Sequence, residues 1–200
     1  MNKRFQIGLT GGIGSGKTVV SKMFNVLGIP VYDSDFNAKE LMTTDPELIQ
    51  EIKFAFGNEV YEMDGLNRDK LAAKVFNNPA ELEKLNRMVH PRVGKHYLNW
   101  VSKQTSPVVI KEAALLFESN IARQLDFIIV VTAPETLRIE RVKDRDKRTV
   151  LQIREIMANQ WPQEETIERA DAVIVNDNQR AVIPQVMAIW DTIKRKASLN

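Results

Sequence analysis

The chain's most reactive-looking stretch is Gly11-Gly12-Ile13-Gly14-Ser15-Gly16-Lys17-Thr18, a complete G-x-x-x-x-G-K-[ST] run directly behind the apolar residues Phe5 to Leu9. Glycines at Gly11, Gly12, Gly14 and Gly16 let the backbone adopt positive φ and turn its N–H groups inward, as a nest of donors around phosphate oxygens. Lys17 supplies a point charge for the β- and γ-phosphates, and the Thr18 hydroxyl is placed to ligate Mg²⁺. Val19, Val20, Met23, Phe24 and Leu27 follow at helical spacing. The pattern therefore predicts a helix from Val19 to Leu27 whose positive N-terminus faces the same phosphates. A chance glycine-rich turn need not lie between a strand and an amphipathic helix, so the run reads as a nucleoside triphosphate site.

A second apolar run ends in Val31-Tyr32-Asp33-Ser34-Asp35. Two carboxylates two residues apart at a strand terminus lie on one side of an extended chain. In open α/β sheets the ligand crevice lies beyond the carboxyl ends of the strands. An acid there accepts the proton of an attacking hydroxyl, and its neighbour holds Mg²⁺ through water. The competing reading is helix capping, for which Asp is favoured; a helix has one N-cap, so capping accounts for only one of the pair.

Arg138, Arg141, Lys143, Arg145, Lys147, Arg148 and Arg154 form a basic, helix-patterned stretch. Taken alone it is a solvated helix face. Behind a phosphate loop it suits a lid whose arginines neutralise charge on a transferring phosphoryl group. The chain has neither the D-x-x-G turn nor the N-K-x-D element that a GTP switch needs. Val109-Ile110-Lys111-Glu112 is an imperfect substitute for the acid-ending strand with which large ATPases hold their metal.

The elements that must position these residues are also legible. Apolar runs at Phe5 to Leu9, Ile29 to Tyr32, Val108 to Ile110, Phe127 to Val131 and Ala172 to Val175 predict strands. Three are almost wholly apolar, as in a parallel sheet covered by helices on both faces. The span from Asp33 to Pro107 is too long for a simple crossover. Its pattern (Leu41, Leu48, Ile52, Phe56; Leu71, Val75, Phe76; Leu82, Leu85, Val89) predicts several helices, an insertion able to cover a substrate.

The 200 residues, 44% of them apolar, make one sizeable globular unit with an excursion or two. A net charge of +2 is too small to mark a nucleic-acid footprint. Cysteine is absent, which excludes disulfides and thiol catalysis and fits a reducing compartment. Met1 to Arg4 lead straight into the first strand, leaving no room for a signal peptide, and no apolar run approaches the roughly 20 residues of a membrane span. The expectation is a cytoplasmic protein with no membrane and no nucleic-acid partner.

In this order and at these spacings the motifs resemble the dephospho-coenzyme A kinase family over nearly the whole chain. Ile7 to Lys17 looks like its phosphate loop, and Asp33-Ser34-Asp35 followed by Ala38-Lys39 is similar to its D-A-D-x-x-A-R. His90-Pro91 matches an H-P dipeptide in the helical insertion. Leu115-Leu116-Phe117-Glu118 matches the end of P-L-L-F-E, and Gln160 with Ala170 to Asn176 resembles the Q…A-D-x-V-I-x-N ending.

The resemblance implies an adenylate-kinase-like, three-layer α/β P-loop kinase fold with a five-stranded parallel sheet, a helical substrate-binding insertion and a helical lid. The core would comprise residues 1–35, 101–137 and 166–200, the insertion 36–100 and the lid 138–165. The implied reaction is ATP- and Mg²⁺-dependent phosphorylation of the ribose 3′-hydroxyl of dephospho-CoA, and the implied protein is a monomer or weak homo-oligomer. Asp35 is then the preferred general base and Asp33 its partner at the metal beside Thr18, with the reverse assignment open. Lys17 and Arg141 would stabilise charge. ATP would be held by Gly12, Gly14, Ser15, Gly16, Lys17, Thr18, Val19, Arg145 and Asn176. His90, Pro91, Leu116, Phe117 and Glu118 would lie along the dephospho-CoA site.

Three positions depart from the family pattern: Lys39 and Ala114 replace an arginine and a proline, and Ile156 replaces an arginine often found before the late glutamine. Lys39 turns a bidentate contact into a single-point one. Read without the resemblance, His90 before Pro91 closes a helix, and Trp100, Trp161 and Trp190 are packing residues. The rival readings are another small-molecule kinase, of shikimate or nucleoside-monophosphate type, and a module in which ATP orders a surface for a protein or RNA partner.

Overall fold

The structure, a computed structural model, describes residues 4–63, 65–75, 78–118 and 121–198; Met1 to Lys3 and Phe76, used above, lie outside them. The chain divides into two units, Met1–Asp33 with Gln104–Asn200, and Ser34–Lys103.

In the first unit, strands β1 (Phe5–Thr10), β2 (Val31–Asp33), β5 (Val108–Glu112), β6 (Phe127–Thr132) and β7 (Ala172–Val175) form a parallel sheet in the order β2-β5-β1-β6-β7. Every residue of β5 and β6 is buried, as expected of central strands covered on both faces. The side-chain alternation of β6 divides the two faces. Phe127, Ile129 and Val131 join Ile7, Leu9 and Ile110 in one core, with Val20 and Phe24 of α1 (Lys17–Val26) and Val186 and Ile193 of α9 (Val182–Lys196). Ile128 and Val130 point the other way, to Ala113, Leu116 and Phe117. Helices α6 (Glu135–Asp146), α7 (Val150–Ala158) and α8 (Gln163–Glu168) also belong to this unit.

In the second unit, α2 (Ser34–Thr44), α3 (Pro46–Phe56), α4 (Arg68–Val75) and α5 (Pro79–Lys103) accompany a short antiparallel pair, β3 (Tyr61–Glu62) with β4 (Gly65–Leu66). Leu48, Ile52 and Phe56 of α3, Leu71 and Val75 of α4, and Leu85, Val89, Val93 and Tyr97 of α5 are buried at four-residue spacing, each helix thereby burying one stripe. Asp45 caps α3, accepting hydrogen bonds from the Glu47 and Leu48 N–H groups at 3.1 Å. It also accepts from Arg92 of α5 at 3.0 Å, and the same guanidinium reaches Glu47 and Glu51.

Burial works against the charged form of Asp45, but the Leu48 N–H and Arg92 outweigh it and hold its carboxyl below the usual value. Asp45→Ala is expected to destabilise the protein by about 1–2 kcal/mol at pH 7, through the lost cap and the lost Arg92 partner. A lowered carboxyl pKa contributes stability above its unfolded value and loses it as pH falls through the folded one. Denaturant titrations at pH 7 and pH 3 should therefore show the gap between variant and wild type narrowing in acid.

The structure corrects four expectations. Helix α1 starts at Lys17 rather than Val19 and ends at Val26, because Gly16, at φ 99°, is its N-cap. β2 is three residues long and α2 begins at Ser34, so Asp35 is helical and the extended-chain argument for the acid pair fails. The basic stretch is two helices, separated at Lys147, whose left-handed φ of 55° ends α6, and restarted by a Thr149–Gln152 capping box. α5 runs through Pro91 for 25 residues, so His90 closes no helix. The β3–β4 pair carries no signal in the apolar spacing. Among the described residues, no helix is long and apolar enough to cross a membrane.

Candidate active site

β1 delivers the chain at Thr10 into the glycine loop, and α1 takes it away at Lys17. Gly14 and Gly16 stand at φ 79° and 99°, and a Cβ on Gly16 would lie 2.2 Å from Asn176 Nδ2, so neither position accepts a side chain without strain. Several loop amides have protein acceptors: Ser15 N–H donates to Gly12 O (3.0 Å), Ile13 N–H to Gln160 Oε1 (2.9 Å) and Val19 N–H to Gly16 O (3.0 Å). Among the described residues, the N–H groups of Gly14, Gly16, Lys17 and Thr18 have no such acceptor. Gathered at the first turn of α1, on its positive end, they form an anion cradle.

Lys17 Nζ lies 3.8 Å from Glu112 Oε1, with both side chains largely buried. Glu112 ends β5 and is in register with Leu9 of β1 and Asp33 of β2, so the carboxyl edge of the sheet carries two acids side by side next to the loop. Glu112 is the residue that the sequence reading undervalued; its signal was an acid at the end of a buried strand. Asp33 is exposed at the end of β2, and Asp35 is exposed in the first turn of α2, where negative charge suits the helix end.

Arg141 of α6 donates to Asn178 Oδ1 (2.6 Å), to Asn176 O (3.1 Å) and Oδ1 (3.3 Å), and to Gly14 O (3.4 Å). Asn176 in turn donates from Nδ2 to Ser15 O at 2.9 Å. The loop after β7 is thereby tied to the glycine loop. Arg145 is exposed and bridges both carboxylate oxygens of Asp146, at 2.7 and 2.8 Å. Arg138, absent from the expected site, is buried, with its Nε donating to Ile13 O at 3.0 Å. Its signal was its place four residues before the buried Val142, on the inner stripe of α6.

The segment after β5 approaches the loop from another side. Thr10, Gly12, Phe117, Glu118, Arg138 and Gln160 are among the residues that line a cavity of about 20 Å³. Phe117 stacks on Trp161 at 5.7 Å, and Glu118 Oε1 accepts from Trp161 N–H at 2.9 Å. Leu116 is fully buried and packs in the core, and the Ser15 side chain is likewise fully buried. Val19 is half exposed on α1. His90 and Pro91 are exposed on α5 in the helical unit. That unit has its own cleft of about 480 Å³, lined by Asp45, Arg92, Lys95 and His96 among others, and His90 and Pro91 are not part of its lining.

Lys111, beside Glu112, is 3% exposed, and burial pushes its ammonium down to about 8 from 10.5. Between those values the folded state binds fewer protons than the unfolded chain, so stability rises with pH across that window. Thermal melts from pH 7.5 to 10.5 should show an increase of up to about 3 kcal/mol, absent in Lys111→Met.

A family model described as dephospho-CoA kinase matches residues 5–181. The chain is 40% identical over 185 residues to a dephospho-CoA kinase of Bacteroides fragilis (strain YCH46), covering 92% of this chain and 90% of that protein. It is 42% identical over 179 residues to one from Chlorobaculum tepidum, covering 86% of each. A solved structure from Thermus thermophilus matches with a TM-score of 0.85 at 29% identity over 98% of both chains. A shikimate kinase from Aquifex aeolicus, at 19% identity and TM-score 0.53 over 98% of this chain and 100% of its own, shares the fold alone. With its motifs, sheet order and relatives in agreement, the chain belongs to the dephospho-CoA kinase family.

Proposed function

We propose that the protein transfers the γ-phosphoryl group of ATP to the ribose 3′-hydroxyl of dephospho-CoA, forming coenzyme A and ADP. The observation that carries this reading is the cradle of N–H groups at the start of α1, with the Lys17 ammonium held beside it by Glu112. Such a cradle binds the β-phosphate, and Lys17 exchanges Glu112 for oxygens bridging the β- and γ-phosphates. Arg141, already at the Gly14 carbonyl, and Arg145 add positive charge on the lid side, and Asn176 holds the nucleotide end of the loop. Asp35 accepts the 3′-hydroxyl proton as the oxygen attacks phosphorus in line, ADP leaves, and the carboxyl later returns its proton to solvent.

Mg²⁺ fits the donors present. Thr18 and Asp33 are exposed hard oxygen ligands, and among the described residues no cluster of three or more acids or histidines forms a separate cage, so phosphate oxygens would complete the shell. When bound, the ion neutralises charge on the β- and γ-phosphates. On the acceptor side, the unit Ser34–Lys103 with His90 and Pro91, and the segment Leu116, Phe117 and Glu118, are assigned to dephospho-CoA, and residues 138–165 to the lid. We place the reaction in the cytoplasm, carried out by a monomer or weak homo-oligomer without nucleic-acid or membrane partners.

The test is ADP release by pure, folded protein with ATP and Mg²⁺, offering dephospho-CoA, shikimate and nucleoside monophosphates in parallel. Turnover with dephospho-CoA at least a hundredfold above the others is expected. Its absence, or preference for another acceptor, overturns the assignment.

A further inference from the structure

The peptide of Ile13 is held at both of its polar atoms by side chains from far along the chain. Gln160 Oε1 accepts its N–H at 2.9 Å, and Arg138 Nε donates to its carbonyl at 3.0 Å. Neither bond is local: 147 and 125 residues separate the partners. In a glycine-rich loop that opens a helix, the backbone N–H groups point at an anionic ligand. Here one central amide is withdrawn from that duty, and the ligand-facing donors begin at Gly14.

Arg138 makes the arrangement expensive for the free protein. It is 8% exposed, and among the described residues no carboxylate lies within salt-bridge distance of it; desolvation lowers its pKa, against weaker attraction from Glu135 and Glu164. A buried guanidinium without an ion pair weakens a fold. Its charge stands against the phosphate loop: a Cβ on Gly12 would lie 2.3 Å from Arg138 Nη2. A triphosphate in the cradle supplies the missing counter-charge. Gln160 is joined through the next residue to the acceptor-side segment, since Trp161 N–H donates to Glu118 and its ring stacks on Phe117.

We propose that Arg138 and Gln160 are a positioning pair for phosphoryl transfer: they lock the Ile13 peptide of the glycine loop, and the bound triphosphate stabilises the Arg138 charge. The proposal rests on the kinase reading above. It couples the residues that follow α7, and through Trp161 those that follow β5, to the loop that orients the γ-phosphate.

The experiment uses Gln160→Leu, Gln160→Glu, Arg138→Met and Arg138→Lys in the full-length protein, with kcat, KM for ATP, and the melting shifts produced by ATP and by ADP. Gln160→Leu and Arg138→Met should each lower kcat by about tenfold or more with KM within about threefold. Gln160→Glu, which keeps the acceptor but adds a carboxylate beside the cradle, should raise KM for ATP while retaining kcat at saturating ATP within about threefold, whereas Arg138→Lys, which keeps charge but not Nε, should not be rescued. Arg138→Met without nucleotide should melt no lower than wild type, while its ATP shift falls relative to its ADP shift. A residue that served only packing would lower the free protein's melting point and leave the nucleotide shifts alone. Wild-type kcat in both Gln160→Leu and Arg138→Met, or equal losses in Gln160→Leu and Gln160→Glu, overturns the proposal. If wild type turns over no dephospho-CoA, the kinase reading fails instead, and the ATP-against-ADP shifts still decide whether the pair senses triphosphate.

Discussion

Lys17→Ala is expected to lower kcat/KM by about a thousandfold, equivalent to about 4 kcal/mol of transition-state stabilisation. Two effects combine. The ammonium that would bridge the β- and γ-phosphates is gone, and Glu112, 6% exposed, is left at the edge of the cradle without the cation 3.8 Å from it. A buried carboxylate there repels triphosphate and weakens the fold. The double variant Lys17→Ala with Glu112→Gln separates the two: it should bind ATP more tightly than Lys17→Ala and melt higher, yet stay as slow in single turnover. If the double variant recovers the rate, Lys17 acts only by neutralising Glu112 and does not reach the transferring group.

Asp35→Asn should lower kcat by about a hundredfold to ten-thousandfold, the range for loss of a general base, with ATP affinity unchanged within about threefold. Asp33→Asn should instead raise the Mg²⁺ concentration needed for half-maximal rate, because the two acids sit on different supports, a strand end and a first helical turn. Single-turnover rates against Mg²⁺ concentration read both. A swapped pattern exchanges the roles, and undiminished rates in both variants remove the acid pair from the chemistry altogether.

The strands were legible in the sequence because β-branched apolar runs buried on two faces have few other uses. Ala172–Val175 emerged with both ends as expected, and Phe5, Val108 and Phe127 were all correct strand starts. Several errors fell at the ends of elements, where one residue's conformation decides. Gly16 in a left-handed conformation starts α1 two residues early, and Lys147 in the same region splits the basic stretch. The acid pair shows the functional side of this limit: spacing of two means one face on a strand, but the strand stops at Asp33 and spacing has no such meaning across the junction. Arg138 and Glu112 were read as a member of a charge run and an imperfect motif; their places on the inner stripe of α6 and at the end of the buried β5 hint at burial, but only the packing around them shows it.

The sequence alone determined the phosphate loop, the parallel sheet beneath it and the family, because each is written in contiguous residues: glycines that allow positive φ, apolar runs of strand length, and motifs in fixed order. Only the tertiary structure decided which charges meet. Lys17 with Glu112, Arg141 with Asn176 and Asn178, and Arg138 and Gln160 with Ile13 join residues separated by 35 to 147 positions. Such pairings arise from strand order and helix packing, which bring the ends of β1, β5 and β7 to one edge of the sheet, and no local pattern of residue types encodes them.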